Sequence, residues 1–150
     1  MPENSHSLQS STGYWVTQLA RAFEGDLEKR IAVHKITRAS WAVLSAIQHH
    51  DKTSPAALAS FIGIDRAAIT RHLDRLEKQG LVQRLQSTAD RRVVNLKLTQ
   101  KGLNLLPELA AKSVATNAKF AAGLVQSEND TVQAIIQKML LNSDADIADL

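Results

Sequence analysis

Residues 54–102 read SPAALASFIGIDRAAITRHLDRLEKQGLVQRLQSTADRRVVNLKLTQKG. Ser54 followed by Pro55 is a helix start, because a serine oxygen accepts a free backbone N–H and proline is tolerated at the first helical position. The spacing predicts a short helix that buries Leu58 and either Phe61 or Ile62, and that ends at Gly63, where a positive φ costs little. Ile64 packs back and Asp65 caps a second helix over about 66–79. In that helix Ile69, Leu73 and Leu76 face inward, while Arg66, Thr70, Arg71, Arg75 and Lys78 face mostly outward; Gly80 stops it. Two helices joined by a tight glycine turn, the second presenting basic and hydroxyl side chains, form a helix-turn-helix.

Two strands follow, over about 81–86 and 93–98. In the second, Val94, Leu96 and Leu98 alternate with Val93, Asn95 and Lys97, the period of a strand with one buried face. Ser87 to Arg92 forms the connecting tip. Thr99 caps a helix expected to run to about Leu124, and Pro107, which removes one N–H from the ladder, is a place for it to bend. The fold class expected is mainly α with a small β-hairpin.

Outward from this stretch the chain is helical. Upstream, Trp15, Val16, Leu19, Ala20, Phe23, Leu27 and Ile31 recur at three and four, which predicts a first helix over about 14–33. A second helix starts at the cap Thr37 and runs to about His49, with Trp41 and Leu44 in the core. Downstream, Ser127 and Asp130 resemble a capping box opening a last helix through Val132, Ile135, Ile136, Met139 and Leu140. Residues 1–12 are polar and serine-rich, a flexible arm ahead of a single domain over 13–150.

Charge is unevenly spread. The formal net charge is +3, yet Asp65 to Lys101 holds nine lysines and arginines against four acids, and residues 121–150 hold five acids against Lys138. A basic middle between neutral or acidic flanks suits a polyanion partner. There is no cysteine, which excludes disulfides, thiol redox sensing and cysteine metal sites in these residues. His49 and His50 make no metal site, since neighbours on a helix point about 100° apart. No glycine-rich phosphate loop and no His-Glu-x-x-His run is present, so neither an enzyme nor a cofactor is expected. No apolar run approaches the roughly 18 residues of a membrane span, and the first residues lack a signal-peptide core; a cytoplasmic protein without membrane contact is expected.

Four segments in order, ITRASWAVLSAI (36–47), ITRHLDRLEKQGLVQR (69–84), DRR (90–92) and VNLKLTQKG (94–102), resemble the multiple-antibiotic-resistance regulator (MarR) family of winged helix-turn-helix transcription factors. The resemblance covers about Tyr14 to Leu140. The Asp-x-Arg wing signature falls on Asp90 and Arg92, and the Leu-Thr-x-x-Gly exit on Leu98, Thr99 and Gly102. Two departures stand out: Ser87, Thr88 and Ala89 lack the Asn-Pro often found in family wings, and Ser40 stands where the family often has glutamine.

The resemblance implies a DNA-binding lobe over about 37–99 and dimerisation helices over about 14–33 and 100–141, forming a homodimer that represses from a palindromic operator. Near the start of a groove-docked helix, Arg66, Ala67, Ala68, Thr70 and Arg71 are the base-reading candidates. Arg66 and Arg71 both suit guanine, and the alanine methyls suit thymine. Arg75 and Lys78 meet phosphate or an acid, and Asp74 has the i,i+4 spacing to pair with Lys78. At the wing, the resemblance puts Arg92 in the minor groove with Asp90 supporting it, and leaves Arg91 either on phosphate or solvated. Family members commonly respond to small aromatic or phenolic anions, for which Trp15, His34, Arg38, Trp41 and His49 are lining candidates here, each also consistent with plain core or surface. The rival function is a winged helix that binds another regulator; the groove-facing charge of Arg66, Arg71, Arg91 and Arg92 favours DNA.

Overall fold

The computed structural model describes residues 7–86 and 94–143. Six helices and one hairpin follow in order: α1 Thr12–Ile31, α2 Arg38–His49, α3 Pro55–Ile62, α4 Arg66–Lys78, β1 Val82–Gln86, β2 Val94–Leu98, α5 Gln100–Phe120 and α6 Gln126–Leu141. Four hydroxyl or carboxylate caps start four of these helices. Thr37 Oγ1 accepts from Ser40 N at 3.2 Å, Ser54 Oγ from Ala57 N at 3.2 Å, Asp65 Oδ1 from Ala68 N at 2.8 Å and Thr99 Oγ1 from Gly102 N at 3.1 Å. Gly63 ends α3 at φ 74°, and the N–H of Ile64 returns to the Ala59 carbonyl.

The strands pair antiparallel from Val82 opposite Leu98 to Gln86 opposite Val94. Leu96 and Leu98 are buried and Val94 half-buried, as the alternation predicts. The other edge of β2 is held as well, since Leu96 N donates to the Thr53 carbonyl at 2.7 Å. Ile31, Val43, Leu44, Leu58, Ile69, Leu73, Leu76, Val82, Leu96 and Leu109 then close one core running from the end of α1 to the first half of α5.

The Leu-Thr-x-x-Gly exit is a joint between hairpin and helix. Thr99 N donates to the Leu81 carbonyl at 3.0 Å while its hydroxyl donates to the Gly80 carbonyl at 2.6 Å. That brings α5 against the same carbonyl from the side, where a Cβ on Gly102 would lie 2.3 Å from Leu81 O.

Several expected boundaries and partners are corrected. Helix α5 runs unbroken through Pro107 but stops at Phe120 rather than Leu124, and Gly123 turns the chain at φ 89°. Helix α6 starts at Gln126, so Glu128, not Asp130, reaches back to close the first turn, accepting from Val125 N at 2.9 Å. Residues Leu8–Ser10 form a single 3-10 turn within the segment expected as an arm. Trp15 is no core residue: it is 57% exposed and donates its indole N–H to the Gln9 carbonyl at 2.9 Å.

Helix α1 is tied to α5 by one carboxylate. Asp26 accepts from Arg30 Nε at 2.6 Å, Lys119 Nζ at 2.5 Å and the buried Thr116 hydroxyl at 2.9 Å, beside the stacked rings of Phe23 and Phe120. Arg30, then Lys119, hold the Asp26 carboxyl well below the usual carboxylate range. A carboxylate depressed in this way contributes stability above its unfolded pKa and loses it as pH falls toward the folded value. Asp26→Asn should therefore melt lower than the native chain at neutral pH, with a shallower decline of Tm between about pH 4 and 2. Parallel melting curves in that window, followed by circular dichroism, check it.

Candidate nucleic-acid interface

Helix α4 divides cleanly between core and solvent. Ile69, Leu73 and Leu76 are buried, whereas Arg66, Ala67, Thr70, Arg71, Arg75 and Lys78 are exposed and Ala68 is half-buried. Thr70 donates its hydroxyl hydrogen to the Arg66 carbonyl at 2.9 Å, leaving its oxygen free to accept. None of Arg66, Arg71 and Arg75 has a carboxylate partner among the described residues. Three free guanidiniums on one exposed helix are a phosphate- and base-edge-seeking surface.

The two acids of α4 are taken up from the hairpin. Arg84 of β1 donates to Asp74 Oδ1 at 2.6 Å and to Glu77, and its backbone N also reaches Glu77 Oε1 at 3.3 Å. Asp74 therefore pairs with Arg84 rather than with Lys78. The pairing offsets one of the two negative charges that α4 would show a polyanion, and it pins the root of the hairpin to the helix. Asp90, Arg91 and Arg92 lie outside the described residues.

The residues expected around a small ligand do not converge in one chain. His34 lines a cleft of about 270 Å³ with Lys35, Gln79, Leu81, Lys101 and Leu105, its Nε2 3.6 Å from Glu108. His49 lines a separate one of about 310 Å³ with Gln48, Leu103, Leu106, Pro107 and Ala110. Arg38 pairs with Glu24 at 3.2 Å, Trp41 packs on the core, and Trp15 sits near the opposite end of α1 from His34. A larger groove of about 620 Å³ between α1, α5 and α6 is mostly apolar, walled by Leu19, Phe23, Val114, Leu124, Val132 and Ile136. Among the described residues no three His, Asp or Glu side chains gather at metal-binding distance, and no helix is long and apolar enough to cross a membrane.

A polar contact that the motifs do not announce joins α2 to α4. Ser40, 1% exposed, lies with its Oγ 3.1 Å from His72 Nδ1. The spacing carries a signal: Ile69, His72, Leu73 and Leu76 fall at i, i+3, i+4 and i+7, which places the imidazole on the inward stripe.

The MarR family model matches residues 36–94, from the start of α2 into β2. Solved structures extend the likeness over most of the chain. The transcriptional regulator PA3341 is 29% identical, with a TM-score of 0.78 over 88% of this chain and 97% of that one. The lobe over 36–94 is of the MarR type. It is a DNA-binding transcriptional regulator and not an enzyme. A mutant MarR from Escherichia coli, complexed with operator DNA, is 26% identical, with a TM-score of 0.78 over 85% of this chain and 92% of that one. CouR from Rhodococcus jostii RHA1, bound to p-coumaroyl-CoA, is 21% identical with a TM-score of 0.79 over 93% and 98%, a likeness of fold. Within this MarR-family framework the free arginines of α4 lie on the second helix of the helix-turn-helix, and Arg84 secures the wing's first strand.

Proposed function

We propose that this MarR-family regulator is a homodimeric repressor that docks α4 in successive major grooves of a palindromic operator and is released by a small ligand. What carries the proposal is the solvent side of α4: Arg66, Arg71 and Arg75 free, Asp74 and Glu77 both drawn to Arg84. Arg66, Ala67, Ala68, Thr70 and Arg71 read bases from the helix start, and Arg75 meets phosphate. In the wing Arg92 enters the minor groove, supported by Asp90, with Arg91 on phosphate. A two-fold dimer explains a palindromic site, because each chain reads one half. Residues 37–99 serve as the DNA lobe; the helices within 14–33 and 100–141 serve as the pairing region.

Ligand release follows by population shift. A molecule preferring a dimer with the wrong spacing between its two α4 helices weakens DNA binding by its differential affinity. The separate clefts at His34 and His49 both lie between α5 and the lobe, so each is a seat for a small aromatic anion. The rival role, docking on another regulator, has no use for three free arginines on one helix. Such a regulator works in the cytoplasm.

Gel shift at fixed salt against the gene's own upstream DNA tests the proposal. Arg71→Ala and Arg92→Ala are each expected to weaken binding about 5- to 150-fold, with the fold unchanged. Arg75→Ala should lower the salt slope by about one and leave base preference alone. Unchanged dissociation constants in the first two variants would remove the basis for the proposal.

A further inference from the structure

We propose that His72 is a positioning residue for DNA reading, fixing the rotation of α4 on α2 through its hydrogen bond with Ser40. The contact is part of a relay. Glu28 on α1 accepts from Arg38 N at 2.7 Å, Thr37 caps the same end of α2, and the Thr37 hydroxyl donates to Ser40 Oγ at 3.0 Å. With that bond in place, the Ser40 hydrogen is left to donate to His72 Nδ1 at 3.1 Å, so the imidazole carries its own hydrogen on Nε2.

The relay does what the apolar stripe cannot. Ile69, Leu73 and Leu76 hold α4 by burial, which is non-directional and tolerates a few degrees of rotation. A buried hydrogen bond from Ser40 has one geometry, and rotating α4 away from it takes the acceptor from an O–H at 1% exposure. Arg71 and Arg75 flank His72 in sequence on the outward side, so the rotation that His72 fixes is the one that aims them.

Proton uptake reverses the contact. A protonated His72 donates Nδ1–H to the second lone pair of the Ser40 hydroxyl, beside the bond from Thr37, and the Ser40 hydrogen must then turn to another acceptor. Burial, then Arg75 and Arg71 on its own helix, hold the imidazole below its ordinary range against the opposing charge of Glu28 on α1. Arg38 of α2 is turned toward Glu24, and Thr37 and Ser40 bring no charge. The relay is therefore intact near neutrality, and the protonation that reverses it is held below the ordinary histidine range.

The inference rests on α4 being the DNA-reading helix, and the test separates the two. A duplex enriched from a random pool by the native chain is compared with a scrambled duplex at fixed salt, at pH 7.5 and 5.5, for the native chain, His72→Asn, His72→Leu and Ser40→Ala. Asparagine offers an acceptor oxygen near the place of Nδ1 and does not titrate. The ratio of the two affinities is the readout, because a charge gained by His72 attracts both duplexes alike. At pH 7.5, His72→Asn should match the native ratio, while His72→Leu and Ser40→Ala lose about three- to tenfold, the size of one net hydrogen bond. Between pH 7.5 and 5.5 the native ratio should fall in proportion to the protonated fraction of His72, read from its own NMR titration, and that of His72→Asn should hold. Full ratios in both disrupted variants, or a native-like pH profile in His72→Asn, overturn the proposal. If His72→Leu fails to fold, the pH comparison between native chain and His72→Asn decides alone. A native chain that enriches no sequence at pH 7.5 refutes DNA reading by α4, and with it this role.

Discussion

Gly102→Ala is expected to cost about 3 kcal/mol or more, lowering Tm by roughly 6–12 °C, although it adds a single methyl on a helix. On an exposed helix surface the same change stabilises, because alanine is the better helix former. Here the methyl would lie 2.3 Å from the Leu81 carbonyl oxygen and 3.2 Å from its carbon, both backbone atoms. No rotamer change relieves a clash between a Cβ and a main chain. The Leu81 carbonyl is also the acceptor for Thr99 N at 3.0 Å, and Leu81 itself is buried, so moving either side breaks the joint between hairpin and α5. Thermal melting of Gly102→Ala beside Gly25→Ala separates the causes, since a Cβ on Gly25, also within a helix, meets nothing within 4 Å. Gly25→Ala should hold or raise Tm; equal behaviour of the two variants would show that the close approach does not matter.

What is legible in the sequence, and what is hidden, divides on how far apart the partners lie along the chain. Thr37, Ser54, Asp65 and Thr99 each cap a residue three positions on, so residue type and spacing suffice to place them. The alternation of Val94, Leu96 and Leu98 is local in the same sense. The Ser40–His72 contact spans 32 positions and the Arg84–Asp74 pair 10, and nothing in either neighbourhood names the other partner. Asp74 shows the consequence: the local i,i+4 rule offers Lys78, but a guanidinium arriving from β1 reaches two carboxylates at once and wins. The end of α5 escapes local reading for a related reason. Residues 121–125, AAGLV, contain good helix formers on both sides of Gly123, and only the positive φ taken by that glycine marks the turn.

Val132→Asp with Ile136→Asp on α6 is expected to convert the regulator to a folded monomer and to weaken operator binding about a hundredfold or more. No residue of α6 is buried against its own chain, yet Val132, Ile135, Ile136, Met139, Leu140 and Leu141 are all apolar and exposed. Trp15, Val16 and Leu19 on α1 and Val114 on α5 extend the same kind of surface, and Leu19 and Val114 share a groove with Val132 and Ile136. A contiguous apolar face of this kind marks an association site. Val132 and Ile136 stand one helical turn apart, so two carboxylates placed there put charge into the middle of any interface formed by α6, where desolvation makes them costly. The core, which α6 does not join, should be untouched, and the far-ultraviolet spectrum of the variant should match the native one. Sedimentation at micromolar concentration is the deciding measurement: the native chain should run at twice its 16.4 kDa mass and the variant at that mass. The loss of DNA affinity then follows without any change in α4, because a lone chain binds one half-site and forfeits the effective concentration that a linked second half provides. A variant that stays dimeric and binds normally would place the partner on another face, and one that becomes monomeric yet keeps its affinity would show that a single α4 and wing suffice.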